Sequence, residues 1–410
     1  MKYQEALEKV VAAIPEVDLI DFTREVTRIP SIHGNELAVG KVFATRMSEL
    51  GMDVREMDVE QDRFNIVGTV RGTGGGRSLM LNGHLDTVGP MLGWTKDPYG
   101  AVLEDGKIYG QGISNMKASD TAMVYAAHAI KRAGIALKGD LVVALVVGEC
   151  AGGIGTKTLM QSGVKTDAFL CTEPTDLGIL TVHASSQYFR VNIIGRSGHF
   201  AMEDLGVNAI MKIYELTQRL GPMHQPLPAG GWIRFSDKPQ YHGLPRYQLG
   251  TIRGGMTREF HESPNLTPDF CTAVLNVRAT PDRPVASTQQ DIEGVLAAMQ
   301  REDPEFAYEV MAVRALPGFE APEGSYLVDA VTRAYTDVCG RSPDVGPIPP
   351  FVLMGSDSGQ MQSAGMAHGA LIGPGKFSSS LADEYVEVDK IVAATKIYAA
   401  TALRVCGYVE

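Results

Sequence analysis

Leu79-Met80-Leu81-Asn82-Gly83-His84-Leu85-Asp86-Thr87-Val88 opens as an apolar run of strand character and closes on a histidine and an aspartate two residues apart. A buried strand that meets a glycine and then presents polar side chains suits an α/β sheet, whose ligands gather beyond the carboxyl ends of its strands. In His84-x-Asp86 the imidazole can bind a metal while the aspartate holds its second nitrogen and so fixes the tautomer. A histidine merely satisfied in a loop gives the same local pattern. The neighbours have to decide.

Working outward, three further segments place ligand-type side chains at strand ends: Tyr109-Gly110-Gln111-Gly112-Ile113-Ser114-Asn115-Met116-Lys117, Gly148-Glu149-Cys150-Ala151-Gly152-Gly153 and Thr172-Glu173-Pro174-Thr175. The patterning predicts strands at 65–70, 78–82, 141–147 and 168–171, with helices at 1–18, 17–28, 37–50 and 119–133. This alternation indicates an α/β sheet with helices on both faces. Beyond residue 186 the pattern loosens into strands at 187–195, 247–254 and 270–279 and helices at 206–220 and 289–300, as in a small α+β insert. Helices at 326–338 and 388–405 and a strand at 369–372 then resume the first pattern. The expectation is an α/β/α catalytic domain formed by 1–186 and 300–410, interrupted by an α+β domain over 187–299.

Composition narrows the function. At 410 residues the chain exceeds one ordinary core, and its 44% hydrophobic and 21% charged residues carry no signature of disorder. A net charge of -11 argues against nucleic-acid or membrane-surface binding, which needs a basic face. No apolar run approaches the roughly 20 residues of a bilayer span, and the first residues lack the pattern of a secretory signal. Five cysteines without paired spacing suggest reduced thiols in a cytoplasmic enzyme.

The ordered set of segments is completed by Gly195-Arg196-Ser197-Gly198-His199, Gly206-Val207-Asn208-Ala209-Ile210, Gly373-Pro374-Gly375 and Asp383-Glu384-Tyr385. Together they resemble the zinc aminoacylase, acetylornithine deacetylase, succinyl-diaminopimelate desuccinylase and glutamate carboxypeptidase family over nearly the whole chain. The resemblance implies that His84 and Glu173 bind one metal and that Asn115 stands where an aspartate bridges two. It implies that Glu149 is the general base, with Asp86 beside it in the catalytic apparatus. His199 would stabilise the oxyanion from the insert of a neighbouring subunit, making the enzyme a homodimer or higher homo-oligomer. Arg278, with Asn265 nearby, would receive the carboxylate of a small anionic substrate; Arg196, Arg253 and Arg258 are rivals for that role.

The chain departs from the family at three positions. Asn115 replaces the bridging aspartate, Cys150 replaces the second metal's glutamate, and Ser378, Ser379, Ser380 and Leu381 occupy the segment that carries its histidine. An amide cannot offset the repulsion between two dications. The expectation is one weakly held divalent transition metal, manganese or zinc, with a Cys150 thiolate as a possible ligand for a softer ion. Three functions fit such a site. The first is hydrolytic deamination of an aromatic amine, 5-nitroanthranilate to 5-nitrosalicylate and ammonia. The second is deacylation of an N-acyl amino acid or carboxypeptidase action. The third is metal-free binding on the same fold.

Overall fold

The computed structural model describes residues 1–409 apart from 263–264, 377–380 and the side chains of 203–204. It divides into two compact units. The first comprises Met1–Thr181, Phe319–Val352 and the chain from Ser356 onward; the second comprises Val182–Gly318 with Leu353–Gly355.

The first unit is built on an eight-stranded mixed sheet. Across it lie Asp53–Glu60, Arg63–Val70, Leu141–Val146, Leu79–His84, Ala168–Cys171, His368–Leu371, Ile179–Leu180 and Val345–Gly346. The Leu79–His84 strand is parallel to both neighbours, and all its residues are buried. Burial on two faces explains why it reads as a continuous apolar run. Helices Leu37–Glu49 and Ala118–Arg132 cover one face, where Met47 meets Gly68 and Met123 meets Gly83. Helix Ile154–Gln161 covers the other, where Asn65 donates to the Gly155 carbonyl at 2.8 Å.

The alanine-rich helix Ala118–Arg132 is buried nearly all round because it also packs against helices Glu16–Thr27 and Val388–Cys406. Gly83 permits its close approach. A Cβ there would stand 2.2 Å from Asp120 Oδ1 and 2.7 Å from Met123 Cε. Gly83→Ala is therefore expected to destabilise the protein by about 1–3 kcal/mol through overpacking. A urea midpoint unchanged from that of the parent would contradict this close packing.

The helix expected over 1–18 is two helices, Tyr3–Ala12 and Glu16–Thr27. Pro15 has no N–H to donate, and its ring disfavours helical backbone at Ile14.

The second unit is a four-stranded antiparallel sheet in the order Arg246–Gly255, Phe270–Ala279, Ser185–Ile194, Ala307–Leu316. Helices Ala209–Leu220 and Val285–Glu302 pack on one face, over Phe189, Val191 and Ile193. The expected insert boundary at 299 is corrected here. Ala307–Leu316 pairs along Ser185–Ile194, which carries the unit on to Gly318. Among the described residues no helix is long and apolar enough to cross a membrane.

Candidate active site

His84 ends the central strand of the first unit, and three side chains from other segments converge on its Nε2. Asn115 Oδ1 lies at 3.1 Å, Glu149 Oε2 at 3.8 Å and Glu173 Oε1 at 3.8 Å. Each comes from a segment that the sequence singles out. Asn115 sits in a short irregular turn before helix Ala118–Arg132. Glu149 follows strand Leu141–Val146 on a turn opened by Gly148, whose φ of 77° lies in the left-handed region that glycine adopts freely. Glu173 follows strand Ala168–Cys171.

The expected contact between Asp86 and His84 takes a different form. His84 Nδ1 lies 2.8 Å from the backbone carbonyl of Asp86 and 3.7 Å from its carboxylate. The carbonyl oxygen can only accept, so Nδ1 keeps a proton and Nε2 is the nitrogen that can bind a metal once its own proton leaves. The Asp86 carboxylate instead accepts the N–H groups of Glu149 at 3.0 Å and Cys150 at 2.9 Å, with His33 Nδ1 at 3.3 Å. Burial opposes its charge, but the His33 contact, His84 and the Cys150 N–H hold its pKa down at about 2. Asp86 thus fixes the turn that bears Glu149.

A second acidic anchor, Glu384, lies in the Asp383–Tyr385 segment. Its carboxylate accepts the N–H groups of Gly112 at 3.0 Å, Ser114 at 2.7 Å and Asn115 at 3.3 Å. Burial pushes its pKa up to about 7 against these bonds. Ser114 Oγ also bonds the backbone of Lys376 in both directions, at 2.8 and 2.9 Å. Ser378, Ser379 and Ser380 lie outside the described residues, while Leu381 is exposed.

The donor set fits one divalent cation. One ligand atom each from His84, Glu149 and Glu173 lies within 4.8 Å of the others, and all three residues are buried. Buried carboxylates so close together repel unless a cation joins them. Burial, and then Glu149 and Asp357, raise the Glu173 carboxyl well above the usual range. A nitrogen with carboxylate and amide oxygens suits zinc or manganese.

The same test fails for a second dication among the described residues. Two other groups are as close together, His84 with Asp86 and Cys150 and His33 with Glu36 and Asp86, but the first re-uses His84, and in the second Arg63 holds Glu36 at 2.7 Å while the Asp86 carboxylate holds the Glu149 turn. Asn115 is neutral, and burial with the nearby Asp86 and Glu149 carboxylates raises the Cys150 thiol well above its ordinary pKa. Its Sγ lies 3.9 Å from the Asp86 carbonyl. A thiolate there would need the metal to form it.

Burial disfavours a charged His84, yet Glu173, Asp86 and Asp120 together raise its pKa to about 9. A metal must displace that proton. Apparent metal affinity is therefore expected to rise with pH up to about 9, roughly tenfold per unit where one proton is released. Calorimetric titrations with one divalent cation between about pH 6 and pH 8 measure the slope. A flat profile would show that His84 holds no such proton.

Three nearby acids and bases escape the sequence reading. Asp120 is fully buried behind Gly83, and neither carboxylate oxygen has a hydrogen-bond partner among the described residues. Asp357 is buried against Gly153, where a Cβ would stand 2.4 Å from its Oδ1. His33 reaches Asp86 from a loop. An aspartate within an Ala- and Met-rich helix, and the run Gly355-Ser356-Asp357-Ser358, are the signals that could have found the first two.

The remaining expected residues, His199, Asn265 and Arg278, belong to the second unit. His199 bridges to Leu266, and the Asn265 carbonyl accepts the Phe200 N–H at 2.8 Å, so these two loops lie together. Asn265 does not lie near Arg278. It precedes Phe270 at the start of strand Phe270–Ala279, whereas Arg278 is at the other end, roughly 25 Å of extended chain away. Of the rival arginines, Arg196 pairs with Glu305 at 2.8 Å, Arg258 pairs with Glu309 at 2.8 Å, and Arg253 covers the Phe260 ring. Arg278 has no side-chain hydrogen bond or ion pair among the described residues.

Comparison with known proteins gives a consistent picture. The profile of Peptidase family M20/M25/M40 matches residues 80–404. The chain is 27% identical over 355 residues to an acetylornithine deacetylase of Myxococcus xanthus, covering 85% of this chain and 86% of that one. Its fold is similar to that of the dipeptidase Dug1p of Saccharomyces cerevisiae, with a TM-score of 0.80 and 14% identity over the whole of both chains. It is also similar to a Bacillus subtilis protein described as a dinuclear metal-binding M20 peptidase, with a TM-score of 0.66 and 14% identity, covering 96% of this chain and 99% of that one.

Proposed function

The chain belongs to peptidase family M20/M25/M40 and is a metal-dependent hydrolase, and we propose that it cleaves the C–N bond of a small carboxylate-bearing amide, an N-acyl amino acid or short peptide, at a one-metal site. One observation carries the reading. His84, Glu149, Glu173 and Asn115 converge on a single point, while Asn115 and Cys150 supply no carboxylate where a second dication needs one.

His84 and Glu173, with the Asn115 carbonyl oxygen beside them, would hold a divalent cation, whose Lewis acidity would bring the pKa of a water toward neutrality. Glu149 is placed to take a proton from that water and return it to the leaving nitrogen. Asp86 positions Glu149 through the two backbone N–H bonds, and its own carbonyl fixes the His84 tautomer. Arg278, free of acidic partners among the described residues, offers the substrate carboxylate a planar two-pronged contact. His199, exposed on the second unit, would stabilise the developing oxyanion in a neighbouring subunit. The assembly is read as a homodimer or larger, which sedimentation of the active enzyme tests; a fully active monomer would contradict it. None of the five cysteines forms a disulfide among the described residues, in keeping with a reducing cytoplasm.

A second reading, hydrolytic deamination of 5-nitroanthranilate, is favoured by the amide at Asn115. The chain resembles 5-nitroanthranilate aminohydrolase in its altered metal site. A ring with a para nitro group absorbs the negative charge of the addition step, so one metal suffices. Incubating the metal-loaded protein with N-acetyl amino acids, dipeptides and 5-nitroanthranilate separates the readings. Free amino acid supports the first, and ammonia with 5-nitrosalicylate supports the second. Neither product, together with no metal uptake, would leave a binding protein.

A further inference from the structure

On the face of the second unit's sheet turned away from its helices, two arginines stand directly opposite each other. Arg246 on strand Arg246–Gly255 is the cross-strand partner of Arg278 on strand Phe270–Ala279. The adjacent row pairs Gln248 with Asn276 in the same way. Like charges directly across a strand pair repel. Even so, among the described residues no acidic side chain lines the cavity of about 200 Å³ that these four residues share with His224, Tyr247 and Leu353.

The cavity is set up to receive oxygen ligands. Arg246 donates through Nε to the Gly243 carbonyl at 2.7 Å and through one terminal nitrogen to the His224 carbonyl at 3.0 Å. Those bonds fix the guanidinium and leave its other terminal nitrogen available. Asn276 is only 7% exposed and makes no side-chain hydrogen bond among the described residues, which leaves its amide nitrogen available to donate. Gly355 leaves room beside Arg278, since a Cβ there would lie 3.2 Å from one guanidinium nitrogen. A third guanidinium, Arg314, stands 4.0 Å over the ring of Tyr188, whose cross-strand partners are Asn276 and Arg314. Burial opposes ionisation of Tyr188, yet Arg278 and Arg314 bring its pKa below the ordinary value, which reports the positive potential here.

One carboxylate would neutralise only one of the facing pair. We propose that this cavity is a subsite for a dianion: Arg278 takes one carboxylate and Arg246 a second oxyanion of the same molecule, so the substrate class is dicarboxylate. The role of Arg278 rests on the reading above; the role of Arg246 and the cavity is new. Gln248 and Asn276 donate amide N–H groups to the remaining oxygens. The site therefore selects against monoanions of equal length.

The test is calorimetric titration of the metal-loaded full chain with glutarate and with valerate, which differ by one carboxylate. Glutarate is expected to bind about tenfold more tightly or better. Arg246→Gln should bring the two ligands level, Arg278→Gln should weaken both, and Arg246→Lys should keep part of the preference. Equal affinities in the parent protein, a comparison that needs no variant to fold, would overturn the proposal. So would a preference that survives Arg246→Gln. Turnover is not the readout, so a failure here leaves the amide-hydrolysis reading standing, and a failed activity screen leaves this one testable.

Discussion

Glu149→Gln is expected to retain the metal and lower turnover by a factor of about 10² to 10⁴, the usual contribution of a positioned general base. The amide is nearly isosteric with the carboxylate but cannot accept a proton. The turn that carries it is held by Asp86 through backbone N–H groups, which the substitution leaves in place. Added metal should not restore activity. If it does, Glu149 is a ligand, as its approach to 3.8 Å from His84 Nε2 also permits geometrically. The site would then have to be redrawn with Glu149 in the role that Cys150 has lost.

His84→Ala should fail for a different reason. His84 is the one imidazole within 4.8 Å of both Glu149 and Glu173 among the described residues. Removing it leaves two buried carboxylates and an amide, and metal retention should be lost with activity. Losing a partner from such a buried charged group costs about 3–5 kcal/mol where the remaining charge stays uncompensated. Here Glu173 can escape part of that by staying protonated, since burial already raises its pKa. A metal titration that follows bound metal and turnover together separates the two variants. Partial recovery at high metal is expected for His84→Ala and none for Glu149→Gln.

The site was legible in the sequence wherever a buried parallel strand delivered a residue to its own carboxyl end. Leu79–His84, Leu141–Val146 and Ala168–Cys171 are fully buried, so hydrophobicity alone marks them, and His84, Glu149 and Glu173 follow at once. The insert boundary was illegible for the opposite reason. Ala307–Leu316 is an edge strand with most of its side chains at least partly exposed, and its apolar residues do not outline a core.

The division of labour within Asp86 was also hidden. His-x-Asp brings the aspartate near the imidazole, but the turn geometry decides that the carbonyl meets His84 while the carboxylate meets the Glu149 turn. Asp120 and Asp357 were hidden because buried acids without a motif of their own look like surface acids until packing places them. The distance between Asn265 and Arg278 was recoverable. Most of the strand Phe270–Ala279 lies between them, and extended chain rises about 3.4 Å per residue.

If Asn115 and Cys150 remove the charge a second dication requires, the enzyme works with a single metal. The most direct measurement is elemental analysis of the protein after exhaustive dialysis against a fixed free concentration of zinc or manganese, paired with an anomalous map of its crystals. At most one metal per chain is expected, placed among His84 Nε2, Glu173 and Asn115 Oδ1 and readily lost to a chelator. Two tightly held metals per chain, with density beside Cys150 as well, would contradict it.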